Sequence, residues 1–458
     1  MSFNKKGLCA SLFLFFFAIL IVNFWPEQLS YLSMARLSII QLICSILVVK
    51  FITNWNFISF PNLFFIFSWF FHCGQIVKIA YSIPGEVSLD FTKYASAKDI
   101  MLAYQFYFIS QIILLCGIVM FSKEKKEFFF ENNEKIFDAR KSWITLIAVG
   151  VVPRLYIDIK TLIGGMNEGY SGVYSIIVSQ PIQSLAFFFD AGCIIALFDK
   201  KNSNKFKTIF FWFVLLYKCL TLSTGARQER TAFIIVWIFV YFFQSREKMN
   251  FKNIILITVI GFFGILLINA VGQVRAMDKI SFDAIMESMF SSSNIIGDTL
   301  GEFGSAFTTL ATTFRAVPSS VPCGHGDSYL AGLLSVIPKL PNYLGLSKAS
   351  AYVTKIPGTT YFGGSYLGEA YYNFSWAGLI ISFVLGIVIS CIQRNISTNY
   401  YEDNSRKKIM STIAMIPLIL FVRGYFTDMV QKIVWVFVFI YIVQICMLRL
   451  NKREDIKC

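Results

Sequence analysis

Five arginines carry most of the chemistry this chain offers. Arg227 and Arg230 stand close together in TLSTGARQERTA, a short break between two long apolar runs. Arg154 lies in VVPRLYIDIK, Arg275 in GQVRAMDK and Arg423 in FVRGYFTDMVQK, each beside or within another apolar run. A guanidinium presents a planar fork of donors that matches phosphate oxygens two at a time. Charges set at the ends of apolar spans face a cavity or one another rather than lipid. Arginines gathered from several such places therefore point to an anionic headgroup, with a diphosphate the best fit. For any one of them the plain alternative is a side chain that snorkels to the interface. Arg227 with Arg230, and Arg423 beside Gly424, fit that alternative least, because their turns are too tight to serve only as stop signals.

A carboxylate is the second ingredient. Asp278, Asp283, Glu287, Asp298, Glu302 and Asp327 lie in the long segment over 272–376 and Asp428 lies five residues after Arg423, whereas Glu369 sits in GGSYLGEAYYNF, a glycine-punctuated stretch leading straight into an apolar run. Placed there, Glu369 is a candidate general base, provided burial or a neighbour tunes it. The alternative is an ion pair with one of the arginines. His325, in CGHGDSY, is one of two histidines in the chain. A lone loop histidine is usually solvated. His72 lies inside an apolar run and reads as a packing residue.

The elements that must position these residues are membrane helices. The chain has 458 residues, 56% of them hydrophobic and 17% aromatic, with a mean hydropathy of +0.62. Apolar runs recur at the length that crosses a bilayer, about 17 to 25 residues. They predict spans near 8–24, 36–53, 57–80, 100–121, 143–160, 178–198, 207–223, 231–244, 253–271, 377–393, 409–424 and 430–449. The fold class is therefore an all-α polytopic integral membrane protein of about twelve transmembrane helices. No small-residue cleavage site follows the first run, so it reads as a retained helix. With both termini placed in the cytoplasm, lysine and arginine concentrate on the short inward loops, as orientation requires.

This topology yields an N-terminal membrane domain over 1–271, one large outward loop over 272–376 and a C-terminal membrane part over 377–458. The loop's texture predicts short amphipathic helices at the membrane surface. The five arginines all gather toward the outward face.

The net charge of +14 is accounted for by the loops and does not imply nucleic acid. The ten cysteines have no paired spacing, so neither a disulfide framework nor a CxxC metal site is expected. The sequence contains no GxxxxGK[ST] or GxGxxG phosphate loop, no HExxH and no GxSxG elbow. No cofactor is expected. If the chain is an enzyme, arginines rather than a metal would stabilise a leaving diphosphate.

Four stretches resemble one family, the Wzy-type O-antigen polymerases. LSTGARQERTAFIIVW is similar to the family's small-Gly-x-Arg turn. GGSYLGEAYYNFSWAGLIISFVLG resembles its entry into the span after the large periplasmic loop, with Ser375 where glycine is usual. LFVRGYFTDM resembles its late Arg-Gly turn, with Tyr425 where an acidic residue is often found. HGDSYLAGLLSVIPKLPN is similar to its Gly-x-x-Tyr…Ile-Pro-Arg stretch, with Lys339 replacing arginine.

The resemblance implies a GT-C-like membrane glycosyltransferase of the bacterial inner membrane, working at the periplasmic face without a metal. It implies undecaprenyl-diphosphate-linked oligosaccharides as substrates, in contact with membrane lipid. A chain-length regulator and a flippase are the expected partners. Arg227, Arg230 and Arg423 would bind the diphosphate, supported by Arg275 and Arg154, and Glu369 would be the base. Tyr366, Tyr371 and His325 would contact sugar, although aromatics at a membrane edge are more often belt residues.

Two rivals share parts of this pattern. An O-antigen ligase has a similar layout, uses lipid A core as acceptor and usually relies on a loop histidine, which His325 would supply. A lipid-linked oligosaccharide flippase also needs cationic residues in a cavity, but at mid-membrane and between two similar halves. Lys218, in LLYKCL, is the one cation here placed so deep.

Overall fold

The computed structural model describes residues 5–85, 87, 89–122, 138–175, 178–222, 227–244, 263–264, 266, 270, 283, 286–288, 294–346, 353, 356, 362–397 and 406–455. Among them every regular element is helical. In chain order these are α1 (Lys5–Asn23), α2 (Tyr31–Thr53), α3 (Phe60–Ala80), α4 (Ala97–Met120), α5 (Ala139–Ser175), α6 (Gln180–Phe198), α7 (Asn204–Leu222) and α8 (Arg227–Phe239). There follow α9 (Ile295–Phe303), α10 (Ser305–Ala316), α11 (Asp327–Leu334), α12 (Leu340–Tyr343), α13 (Tyr366–Phe374), α14 (Leu379–Ser397), α15 (Arg406–Phe421) and α16 (Phe426–Asp455).

Among the described residues, seven stretches are long and apolar enough to cross a membrane: Lys5–Asn23, Tyr31–Thr53, Phe60–Ala80, Ala97–Met120, Pro181–Phe198, Tyr366–Ser397 and Phe426–Cys446. The expected spans 143–160, 207–223, 231–244 and 409–424 fall on α5, α7, α8 and α15. Most of 253–271 lies outside the described residues. Helix α5 continues to Ser175, well past the end of its apolar stretch. Hydropathy reports where the side chains become polar; it does not report where backbone hydrogen bonding stops. Helix α8 ends in a π-helical turn over Val240–Gln244.

The chain sorts into two compact units. One holds Met1–Phe130, Ile296–Thr398 and Pro417–Val430; the other holds Glu131–Ile295, Asn399–Ile416 and Gln431–Cys458. In the first unit α4 is the central helix. It packs against α1, α2, α10 and α14, and nearly all of its residues from Ile100 to Val119 are buried. A helix apolar on all sides belongs inside a bundle. Its contact with α14 is backbone to backbone. A Cβ at Gly117 would lie 2.4 Å from the Phe383 carbonyl oxygen, and one at Gly386 would lie 2.3 Å from that of Leu114. Small residues permit such close helix crossings in membranes.

The expectation of amphipathic helices at the surface does not describe α10. Its residues are buried apart from Arg315, and it packs against α3, α4 and α13. The sequence SAFTTLATTFRA looks half polar, but the threonine hydroxyls are satisfied internally. Thr308 donates to the Gln75 side-chain oxygen at 3.2 Å and to the Leu89 carbonyl at 2.7 Å. Thr309 donates to the Gly363 carbonyl at 2.9 Å. Thr312 and Thr313 donate to carbonyls one turn back in their own helix. A threonine that bonds within its surroundings behaves as a packing residue.

In the second unit α5 and α6 form the closest pair. A Cβ at Gly150 would meet the Phe189 nitrogen at 2.2 Å, so those two backbones also touch. Helices α7 and α8 pack on each other. There the Trp237 indole donates to the Phe211 carbonyl at 3.2 Å.

Candidate functional site

In the first unit, the glycine-punctuated stretch meets the Arg-Gly turn that follows α15. A Cβ at Gly363 would lie 3.3 Å from Arg423 Nε, and one at Gly364 would lie 2.5 Å from the Gly424 carbonyl oxygen. These two stretches, remote in sequence, are thus seated directly on one another. Arg423 is half-buried, with its guanidinium carbon 6.0 Å from the centre of the Phe71 ring.

Helix α13 carries Glu369 away from this contact. The side chain is fully buried. Oε1 accepts a hydrogen bond from Ser328 Oγ at 2.7 Å, and Oε2 accepts one from the Phe426 backbone nitrogen at 2.9 Å. Asn373 Nδ2 donates to Ser328 Oγ at 2.7 Å and to the Glu369 carbonyl at 2.8 Å, fixing the serine that holds the acid. A carboxylate has about four lone-pair positions, and these two bonds leave the others for a further donor. Two phenols lie close enough to feel the charge of Glu369. Burial, with Glu369 adding, pushes the Tyr329 hydroxyl well above its ordinary range. Burial, with Asp428 and then Glu369 adding, does the same to Tyr425. Both phenols stay protonated at neutral pH and are donors. The Tyr329 hydroxyl is buried and has no hydrogen-bond partner among the described residues.

Helix α13 stops at Ser375, whose φ of 51° and ψ of −136° lie in a region that favours glycine. The turn keeps the geometry glycine would give it, at a cost in strain.

The aromatic candidates fall in packed positions. Tyr366 is fully buried; its hydroxyl accepts from Gln111 Nε2 at 2.9 Å and lies 3.3 Å from Ser68 Oγ. Tyr371 is buried and stacks on Phe314 with ring centres 3.6 Å apart. A sugar would have to displace protein to reach either ring. His325 is exposed, with a φ of 47°.

The second unit gathers Arg154 and Arg230 around one carboxylate. Arg154 Nε donates to Asp158 Oδ2 at 3.1 Å, one helical turn along α5. Arg230 Nη2 donates to Asp158 Oδ1 at 2.7 Å. The Tyr217 hydroxyl donates to the same carboxylate. Arg154 Nη1 also lies 3.5 Å from Glu229 Oε2 and 3.8 Å from Asp190 Oδ2. Asp190 accepts from Lys218 Nζ, and Glu229 Oε1 accepts from Lys432 Nζ at 2.7 Å. Lys218 sits 4.4 Å from the centre of the Phe233 ring.

Asp158, Asp190, Arg154, Lys218 and Arg230 are all buried, so each charge depends on its neighbours. Removing one partner of such a pair leaves an uncompensated charge.

Arg227 opens α8; its side chain lies outside the described residues, as does the whole of Arg275. Sequence reasoning singled out Arg154, Arg230 and Lys218 but missed Asp158, Asp190 and Tyr217 in their network, and Lys432 as the partner of Glu229. Two signals were available. Asp158 follows Arg154 at i+4, the spacing of a same-face helical pair. Asp190 is a carboxylate inside the apolar run AFFFDAGCII, which marks a functional or paired site by default. Among the described residues, no group of three or more His, Cys, Asp or Glu side chains is arranged to hold a metal ion.

The model of one family, described as O-antigen polysaccharide polymerase Wzy, matches residues 8–453. No curated protein and no solved structure matches the chain.

Proposed function

Because the chain belongs to the O-antigen polysaccharide polymerase Wzy family, we propose that it joins undecaprenyl-diphosphate-linked repeat units into a surface polysaccharide at the periplasmic face of the bacterial inner membrane. Both termini are then cytoplasmic. An acceptor hydroxyl at the non-reducing end of a new lipid-linked unit attacks the anomeric carbon of the growing chain. The bond from that carbon to the diphosphate oxygen breaks, and undecaprenyl diphosphate leaves with the electron pair. The hydroxyl proton passes to a base. The donor already carries the energy of the new bond, so the step needs neither nucleotide nor metal.

Glu369 is the base in this reading, and Arg423 is a diphosphate ligand in the same unit. One observation carries the reading furthest: the glycines that lead into the Glu369 helix sit against Arg423 and Gly424. The cation for the leaving group thus packs on the stretch that leads into the helix bearing the carboxylate for the acceptor proton. Arg154 and Arg230 share Asp158, and a diphosphate binding there takes over part of that carboxylate's role as counter-ion. Arg227 and Arg275 remain ligand candidates on sequence grounds. GT-C-like chemistry and dependence on a flippase and a chain-length regulator belong to the same proposal.

The test is a surface-polysaccharide gel from a host lacking this gene. A polymerase deletion leaves lipid A core bearing one repeat unit and no ladder, and wild type restores the ladder. Bare core with long polymer held on the lipid carrier identifies a ligase instead. Bare core with no exported polymer identifies a flippase.

A further inference from the structure

The stretch that delivers Glu369 is tied at every step, and one tie comes from a residue that sequence patterning treats as mere packing. His72 is fully buried in α3. Its Nδ1 lies 3.0 Å from the Ser68 carbonyl oxygen and its Nε2 lies 3.1 Å from Ser365 Oγ. A carbonyl only accepts, so Nδ1 carries the proton and Nε2 is the ring's acceptor. Ser365 then donates its hydroxyl to Nε2, which turns the oxygen's lone pairs toward the start of α13. There Ser365 is the N-cap and accepts from the Gly368 nitrogen at 3.2 Å. The next residue in that helix is Glu369.

We propose that His72 is a positioning residue for Glu369. Its imidazole fixes the rotor of the Ser365 cap, and the cap fixes where α13 begins and where its carboxylate points. This rests on Glu369 acting as the base. Neighbouring contacts hold the ring still: His72 stacks on Tyr107 with centres 5.4 Å apart and meets Tyr366 edge-on at 5.6 Å. Ser68, on the same face of α3, and Gln111 of α4 hold the Tyr366 hydroxyl. The first two residues of the Ser365–Tyr366 entry are thereby clamped from two membrane helices. A cap without this clamp would satisfy the Gly368 nitrogen equally well while leaving the serine free to rotate. The added His72 bond supplies orientation that a free cap would lack.

The two ring nitrogens can be tested separately. The amide of asparagine occupies the place of Nδ1, and that of glutamine the place of Nε2. His72→Gln therefore keeps an acceptor for Ser365, whereas His72→Asn keeps only the bond to Ser68. Purified wild type, His72→Gln, His72→Asn, Ser365→Ala and the His72→Asn/Ser365→Ala pair are assayed on lipid-linked repeat unit extracted from the deletion strain. The same proteins are melted in detergent.

We expect His72→Gln to keep kcat within about threefold. His72→Asn and Ser365→Ala should each lose about tenfold or more in kcat with KM unchanged, and the pair should be no slower than Ser365→Ala alone. Equal rates for the glutamine and asparagine variants would overturn the proposal. So would additive losses in the pair, or coupling seen in melting but not in kcat. Ser365→Ala leaves α3 untouched, so the proposal stays testable should His72→Asn fail to fold. Glu369→Gln runs alongside: full activity there defeats the base reading, while the 72–365 coupling still reports on the contact.

Discussion

Replacing Asp158 gives the sharpest test of the buried ion network. Its carboxylate takes donors from Arg154, Arg230 and Tyr217, and it is only 6% exposed. Removing one partner of a buried pair costs about 3–5 kcal/mol, because the other charge is left uncompensated. Arg154 keeps Glu229 and Asp190 at 3.5 and 3.8 Å, while Arg230 loses its 2.7 Å pair with Asp158. Asp158→Ala should therefore lower unfolding stability by about 3–5 kcal/mol. Asp158→Asn keeps an acceptor oxygen without the charge and should lose about 1–3 kcal/mol. The double replacement Asp158→Leu with Arg230→Met removes charge from both sides and should recover at least half of the loss. The assay is denaturant titration of purified protein in mixed micelles, followed by tryptophan fluorescence. An Asp158→Ala protein within about 0.5 kcal/mol of wild type would refute the network.

Ser375→Gly should stabilise the chain by about 1 kcal/mol, since Ser375 holds a glycine-type conformation; a higher melting temperature in detergent checks this, and an unchanged or lower one argues against the strained turn. Gly364→Ala would place a methyl group 2.5 Å from the Gly424 carbonyl oxygen. It should cost about 1–3 kcal/mol and weaken the polysaccharide ladder, and a ladder of normal intensity would show that the two stretches tolerate separation. Gly117→Ala tests the α4–α14 crossing in the same way: its Cβ would meet a backbone oxygen at 2.4 Å, so purified protein should melt earlier, and a wild-type melt would mean the helices can part without cost.

Helices were legible where apolar length alone decides them. The runs around 36–53, 57–80 and 100–121 became α2, α3 and α4 with ends shifted by a few residues. Legibility failed where a polar residue is satisfied by a distant partner. The texture of the 272–376 stretch suggested helices at the membrane surface, and nothing local says that Gln75, Leu89 and Gly363 will take the threonine hydroxyls of α10. His72 read as packing because its partner Ser365 lies 293 positions away.

The candidate residues divide the same way. Arg423 and Glu369 stood out because charges beside glycines at span ends are rare. The meeting of Gly363 and Gly364 with Arg423 and Gly424 needed three dimensions. Asp158 and Asp190 were visible as residues but not as counter-ions, since sequence spacing reveals the i+4 partner and hides those on α6, α7 and α8. Tyr366 and Tyr371 show the converse error of emphasis. An aromatic near a catalytic motif suggests a sugar platform, yet here their rings pack against Phe64 and Phe314 and help build the helix itself.

The central claim is that the buried Glu369 carboxylate takes the acceptor proton during polymerisation. The direct measurement is the surface-polysaccharide ladder from the deletion strain carrying Glu369→Gln, with membrane levels matched to wild type by immunoblot. The Ser328 hydroxyl can rotate to accept from the new amide, so the helix survives while the base is lost. The account predicts core bearing a single repeat unit and no ladder. A full ladder from Glu369→Gln at matched level would contradict it.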